Sequence, residues 1–240
     1  MKKILNFLIY LLFPRTCSCC GTNLSVTTDK NICNECFKNL PKNDGLKCVI
    51  CSMPLHDGGE HCYDCKHSKI YFNSLKTPYT YTGSIQKLIH KFKYSNRLFL
   101  SKDLAIPMID LIYKENWDKE IDLIIPIPLH FIKKFLRGYN QTYLLSQHIS
   151  LKLNKPLNSR VLLRTNYTKP QFGLNRKDRN ENLENSFSIN KKYLTELKGK
   201  NILLVDDIAT TCATANICAK LLKEAGAKKV FVIAIARTDF

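Results

Sequence analysis

At 240 residues and 27.7 kDa, with 45% hydrophobic and 24% charged residues and only 9 Gly and 9 Pro, the chain is neither disordered nor collagen-like and has room for a sizeable core in one domain or two. Its formal net charge is +17, and the distribution of that charge is more informative than the sum.

The chain opens on Met1-Lys2-Lys3 and an apolar run, Ile4–Phe13, interrupted by Asn6. This run is half the ~20 residues that a hydrocarbon core requires, so no transmembrane segment is expected. Pro14-Arg15-Thr16 supplies no small-x-small cleavage site, so residues 1–16 read as an apolar helix packed on the body and not as an export signal.

Nine of the eleven cysteines lie between Cys17 and Cys65. Eight of them form four Cys-x-x-Cys pairs: Cys17/Cys20, Cys33/Cys36, Cys48/Cys51 and Cys62/Cys65. Two residues between cysteines let a tight turn aim both sulfurs at one ion ~2.3 Å away, and two such turns complete a tetrahedron. Two structural zinc ions are therefore expected in a double zinc ribbon over residues 17–66, in a reducing, cytoplasmic setting where thiolates meet metal and not each other. A segment this poor in large apolar side chains would draw its stability from the metal, on the order of 10–16 kcal/mol per structural site. Cys19 is left over, His56, His61 and His67 are spare ligands, and spacing leaves sequential and interleaved pairing equally open.

Residues 66–100 carry seven Lys/Arg and no acid, interleaved with Tyr71, Phe72, Tyr79, Tyr81, Phe92, Tyr94 and Phe99. Cations alternating with aromatic faces suit a single-stranded nucleic acid, with Lys87, Lys91, Lys93 and Arg97 as candidate phosphate contacts. The competing reading is a solvated basic face whose aromatic side chains turn inward. A second basic stretch, Lys152 to Arg179, has eight cations against Asp178 alone.

From residue 67 onward the pattern alternates strand and helix. Strand character is expected in 71–81, 121–127, 160–163, 200–206 and 230–236, and helices in 84–94, 98–113, 141–153 and 214–225, the last closed by Gly226. Short apolar strands separated by helices predict an α/β fold, a mostly parallel sheet with helices on both faces.

In such sheets ligands sit beyond the carboxyl ends of strands, which directs attention to Asp206-Asp207-Ile208-Ala209-Thr210-Thr211-Cys212-Ala213-Thr214. An apolar strand delivers two acids, and a loop of small and hydroxyl residues then opens a helix whose free amides and positive dipole end suit a phosphate. Carboxylates beside a phosphate would serve hydroxyls or a cation, and a phosphorylated sugar offers both. No nucleotide-binding glycine motif accompanies them, since Gly199-Lys200 is followed by Asn201 and no Gly-x-Gly-x-x-Gly occurs. A phosphoaspartyl nucleophile remains compatible with this segment.

Ile202–Asp207 with Ala209–Thr214 resembles the phosphoribosyl-pyrophosphate signature of type I phosphoribosyltransferases. Together with Arg137-Gly138-Tyr139-Asn140-Gln141, with Gln171, Arg176, Arg179, Asn182 and Phe187, and with the cysteine pairs, the chain resembles the ComF competence-protein family, also called the GntX family. That resemblance implies a phosphoribosyltransferase-like domain over residues 67–240. In it Asp206 and Asp207 would hold the ribose hydroxyls, and Ala209, Thr210, Thr211, Cys212, Ala213 and Thr214 the 5-phosphate. It further implies that the loop carrying Pro126 and Pro128 lies near pyrophosphate and magnesium, with Arg137 and Arg179 as cations for that charge. Cys212 departs from the signature, which usually has Gly there. The function implied is binding of phosphoribosyl pyrophosphate and single-stranded DNA during DNA uptake and natural transformation, with a competence helicase or uptake channel as a possible docking partner of the ribbons. The alternative is a phosphoribosyltransferase acting on a base or amine.

Overall fold

The computed structural model describes residues 14–239 apart from 26, 57 and 165–185, and leaves aside the side chains of Phe131, Lys133 and Lys134. The expected helix at residues 1–16 lies mostly outside the described residues. Residues 14–16 are not helical, and Thr16 bridges Asn23.

The strands are β1 (Ser74–Lys76), β2 (Tyr79–Thr80), β3 (Leu123–Pro126), β4 (Leu162–Arg164), β5 (Phe187–Ile189), β6 (Asn201–Val205), β7 (Ile208–Ala209), β8 (Lys229–Ile233) and β9 (Ala236–Arg237). The helices are α1 (Asn34–Lys38), α2 (Tyr63–His67), α3 (Gly83–Tyr94), α4 (Leu100–Lys114), α5 (Phe131–Arg137), α6 (Gln141–Leu153), α7 (Leu194–Leu197) and α8 (Ala213–Glu224). The central sheet runs β1-β8-β6-β3 and is parallel throughout, as the alternation of apolar runs and helices predicts.

A second parallel sheet, β2-β9-β7, repeats that order. Each of its strands continues a strand of the first sheet after a two-residue break: Thr77-Pro78 after β1, Asp206-Asp207 after β6 and Ala234-Ile235 after β8. The expected single strands over 71–81 and 230–236 are therefore each two short strands in different sheets. β4 pairs with β5 in an antiparallel ribbon. β5 goes unnoticed in the sequence because three residues, Phe187-Ser188-Ile189, give too short a run for periodicity to speak.

Successive strand side chains point to opposite faces, and each face has its own core. Leu203, Val205, Phe231 and Ile233 pack with α3, α4 and α6, and the residues between them, Ile202, Leu204, Val230 and Val232, pack with α8. The spacing read for α3 is realised as Ile85, Leu88, Ile89 and Phe92, all buried. Gly226, at φ +97°, ends α8, where the Ala227 amide reaches the Leu222 carbonyl at 3.0 Å.

The cysteine-rich segment is docked on this body. Cys17, Leu24, Ile32 and Leu40 join the core on the α3–α4 face, and Cys48, Cys51 and Met53 join the α8 face. The Asn31 amide and side-chain nitrogen donate to Asp103 Oδ2 at 3.0 and 2.8 Å, and the Leu75 amide donates to the Ile50 carbonyl at 2.7 Å.

Candidate functional site

The four cysteine pairs combine sequentially, which decides the pairing that spacing leaves open. Cys17, Cys20, Cys33 and Cys36 form one group and Cys48, Cys51, Cys62 and Cys65 the other, with the sulfurs of each within 4.8 Å of one another. A tetrahedron with ~2.3 Å metal–sulfur bonds has edges of about 3.8 Å. The Cys20–Cys33 and Cys51–Cys62 sulfurs stand 3.9 and 3.5 Å apart. In the first group the amides of Cys19 and Cys33 donate to Cys17 Sγ at 3.4 and 3.2 Å, and that of Cys36 to Cys33 Sγ at 3.4 Å, which favours the thiolate form a metal needs. Four soft sulfurs and no open position fit a structural zinc ion at each group. The spare histidines belong to neither: His56 pairs with Asp239 and His67 with the Tyr63 carbonyl.

The two acids sit in the break between β6 and β7 and part company there. Asp206 lines a small open pocket of about 30 Å³ together with Leu75, Val232 and the bend Ala209, Thr210, Cys212, Ala213, Thr214. Burial, and then the neighbouring charge of Asp207, push the Asp206 carboxyl up to about 7. Asp207 turns to the other face, where Lys93 Nζ lies 2.7 Å from Oδ1 and Gln141 Nε2 donates to Oδ2. Asp206 lines the pocket and Asp207 does not, because the Asp207 carboxylate is buried and has both oxygens engaged.

Between the acids and α8, Thr210 and Thr211 are exposed and Cys212 is buried. Cys212 caps α8 with φ 59° and ψ 5°, the left-handed conformation that glycine adopts freely and that other residues adopt at a cost. This explains why a glycine is usual at that point of the signature. Its side chain is buried in the same cluster as Cys51, and the neighbouring Cys51 sulfur and burial push the Cys212 thiol up.

The loop of Pro126 and Pro128 starts beside this site, since Pro126 pairs in register with Val205 and the Ile127 amide donates to the Val205 carbonyl at 2.9 Å. Arg137 does not line the pocket: it donates to Gln141 Oε1 at 2.5 Å, and its guanidinium sits 4.9 Å from the Tyr94 ring centre. Arg179, like Gln171, Arg176 and Asn182, lies outside the described residues. Arg164 is a cation that sequence reasoning missed. It is close enough to Asp206 to favour the carboxylate and rests 5.0 Å from the Phe187 ring centre. Its only signal in the sequence was membership of the second basic stretch.

The proposed nucleic-acid track is shortened. Lys91 Nζ donates to the Ser18 carbonyl at 2.7 Å and Lys93 is spent on Asp207, so neither ammonium is free for a phosphate; Lys87 and Arg97 are exposed. Phe72, Tyr79 and Phe92 turn into the core, whereas Tyr94 and Phe99 stay exposed, with Arg137 over the first ring and Arg97, at 5.5 Å, over the second. Among the described residues no helix is long and apolar enough to cross a membrane.

Residues 8–66 match the double zinc ribbon domain family. The chain is 30% identical to Competence protein F of Haemophilus influenzae over 228 residues, covering 94% of this chain and 98% of that one. It is 28% identical to DNA utilization protein YhgH of Escherichia coli over 231 residues, covering 95% and 99%. Among solved structures, the glutamine phosphoribosylpyrophosphate amidotransferase of Bacillus subtilis matches 60% of this chain and 30% of its own, at 17% identity and a TM-score of 0.40.

Proposed function

Because the chain belongs to the ComF family of competence proteins, we propose that it binds phosphoribosyl pyrophosphate and single-stranded DNA and acts in the handling of DNA taken up by the cell. The observation that carries the reading is the pocket itself. It is lined by a carboxyl group, Asp206, and by Ala209, Thr210, Cys212, Ala213 and Thr214 of the bend that follows. A sugar's hydroxyls would meet the first and its 5-phosphate the second.

Magnesium fits this site as the ligand's companion and not as a resident ion. Asp206 is the one carboxylate among the pocket's described residues, and magnesium is commonly held by one or two carboxylates together with substrate phosphates. Arg164, beside Asp206, would offset the remaining charge.

The DNA part of the reading rests on the exposed set Lys87, Tyr94, Arg97 and Phe99, cations beside solvent-exposed rings, with Arg137 over the Tyr94 ring and Arg97 over that of Phe99. The names of the relatives in competence and DNA utilization support uptake as the setting. The ribbons, with each face of the body already engaged, would meet a helicase or uptake channel through their remaining surface.

A second reading, transfer of the phosphoribosyl group to a base or amine, is favoured by one feature absent from the sequence pattern: an Asp206 carboxyl raised to about 7 can take or give a proton at neutral pH. Calorimetric titration of the full chain with phosphoribosyl pyrophosphate and magnesium tests the main reading, and silence at millimolar ligand would remove it. Release of pyrophosphate with a defined acceptor would establish the second.

A further inference from the structure

Arg237, on β9, is 1% exposed, and among the described residues it has no carboxylate partner. Its donors run instead to two places that the sequence keeps far apart. Nη1 donates to the Ala209 carbonyl at 2.8 Å, at the start of the pocket's bend. Nε donates to the Cys51 carbonyl at 3.2 Å, and Nη2 lies 3.8 Å from Cys51 Sγ. The Cys212 side chain, from the middle of the bend, is buried in the same core cluster as Cys51. Cys51 belongs to the second cysteine group, so Arg237 ties that group to the bend and Cys212 packs in the same cluster.

The charges explain why a guanidinium can be buried here. Four thiolates around a divalent ion carry a net double negative charge, and a buried cation is tolerated only beside a compensating one. With the metal lost, Arg237 would have no compensating charge in the core, and the Ala209 carbonyl, which also accepts from the Thr238 amide at 3.1 Å, would lose the fixed position of its guanidinium donor. Among the described residues the first group has no such link to the bend; its segment packs on the opposite face, with polar contacts that include Asn31 to Asp103 and Lys91 to Ser18.

We propose that the second tetrathiolate group and Arg237 hold the Ala209–Thr214 bend in its conformation, making zinc at Cys48, Cys51, Cys62 and Cys65 part of the ligand site and Arg237 its positioning residue. The consequence for phosphoribosyl pyrophosphate rests on the reading of the bend as a phosphate site. The conformational claim does not.

The test uses the full chain loaded with zinc, with Cys62→Ser to empty the second group and Cys20→Ser to empty the first. Two readouts are taken: the rate at which Cys212 is alkylated by a maleimide, followed by peptide mass spectrometry, and the affinity for phosphoribosyl pyrophosphate with magnesium. Cys62→Ser is expected to speed Cys212 labelling and weaken ligand binding by about tenfold each, the usual scale for loss of an outer-shell support, and Cys20→Ser to leave both within about twofold. Arg237→Gln should reproduce the Cys62→Ser result with zinc retained, and Arg237→Lys should recover most of it. Equal effects of the two cysteine variants, or Cys212 labelling that ignores both Cys62→Ser and Arg237→Gln, would overturn the proposal. Labelling that responds only to the second group in a chain that binds no ligand would uphold the conformational claim and remove the phosphate reading instead.

Discussion

Asp206 and Asp207 are neighbours in the chain and face opposite sides of the sheet, one lining the pocket beneath α8 and the other tied to Lys93 and Gln141 on the face of α3 and α6. Strand alternation dictates the split, because consecutive side chains at the end of β6 cannot point the same way. The pair is therefore divided between the pocket and the core.

Removing Lys93 tests the architectural half. Lys93→Met leaves Asp207 buried with only Gln141 to satisfy it, and breaking a buried pair from one side costs about 3–5 kcal/mol. Urea unfolding at neutral pH should show a loss of that order. A loss below about 1 kcal/mol, the range of exposed pairs, would mean that Asp207 is effectively solvated.

Asp206 should give stability a pH dependence of its own. Its carboxyl is raised from an ordinary 3.8 to about 7 in the fold, so between those values the folded chain holds a proton that the unfolded chain has released. That contribution is fully present below about pH 4 and is lost as pH rises through about 7. Asp206→Asn cannot ionise, so its melting temperature should match wild type at pH 4 and exceed it at pH 8. The gain is about 1–2 kcal/mol, since water in the open pocket screens part of the cost. A variant less stable than wild type at pH 8 would show that the ionised carboxylate is held by partners in the fold.

Sequential pairing of the cysteines has an analytical consequence. Cys20→Ser and Cys48→Ser fall in different groups, so each single variant should hold one zinc ion and the double variant none. Were those residues in one interleaved site, the double variant would keep the other ion. Zinc per chain, measured by atomic emission after gel filtration, separates the two.

Binding of single-stranded DNA should weaken steeply with salt, and Lys87→Ala and Arg97→Ala should each lower the slope of log affinity against log salt by about 0.7, the contribution of one neutralised phosphate. Tyr94→Ala should cost about 1–3 kcal/mol with little change of slope, as loss of a stacking face does. Lys91→Ala, whose ammonium is turned to Ser18, should leave the slope unchanged; a change equal to that of Arg97→Ala would restore the longer track.

Much of this was legible in the sequence because it is local. Cys-x-x-Cys spacing fixes a turn and its chemistry, apolar periodicity marks α3, and the run from Ile202 to Val205 announces a buried strand. What escaped was whatever depends on long-range geometry. No local pattern says that Lys93 will meet Asp207, 114 positions away, or that Arg237 will reach back to Cys51 across 186. The division of β1, β6 and β8 into two sheets is invisible for the same reason: Asp206-Asp207 reads as the end of a strand, and only its neighbours show that the chain continues as β7. Cys212 was conspicuous as a departure from a signature, yet its left-handed backbone and its place in one core cluster with Cys51 emerge only once the fold brings them together.

The most direct measurement is a paired titration of wild type and Asp206→Asn with phosphoribosyl pyrophosphate and magnesium, with circular dichroism confirming that both chains are folded. A carboxylate that holds a sugar hydroxyl is worth about 1.5–3 kcal/mol, so the variant should bind roughly tenfold to a hundredfold more weakly. Equal affinity in the two chains would contradict the assignment of the pocket to the ligand's ribose.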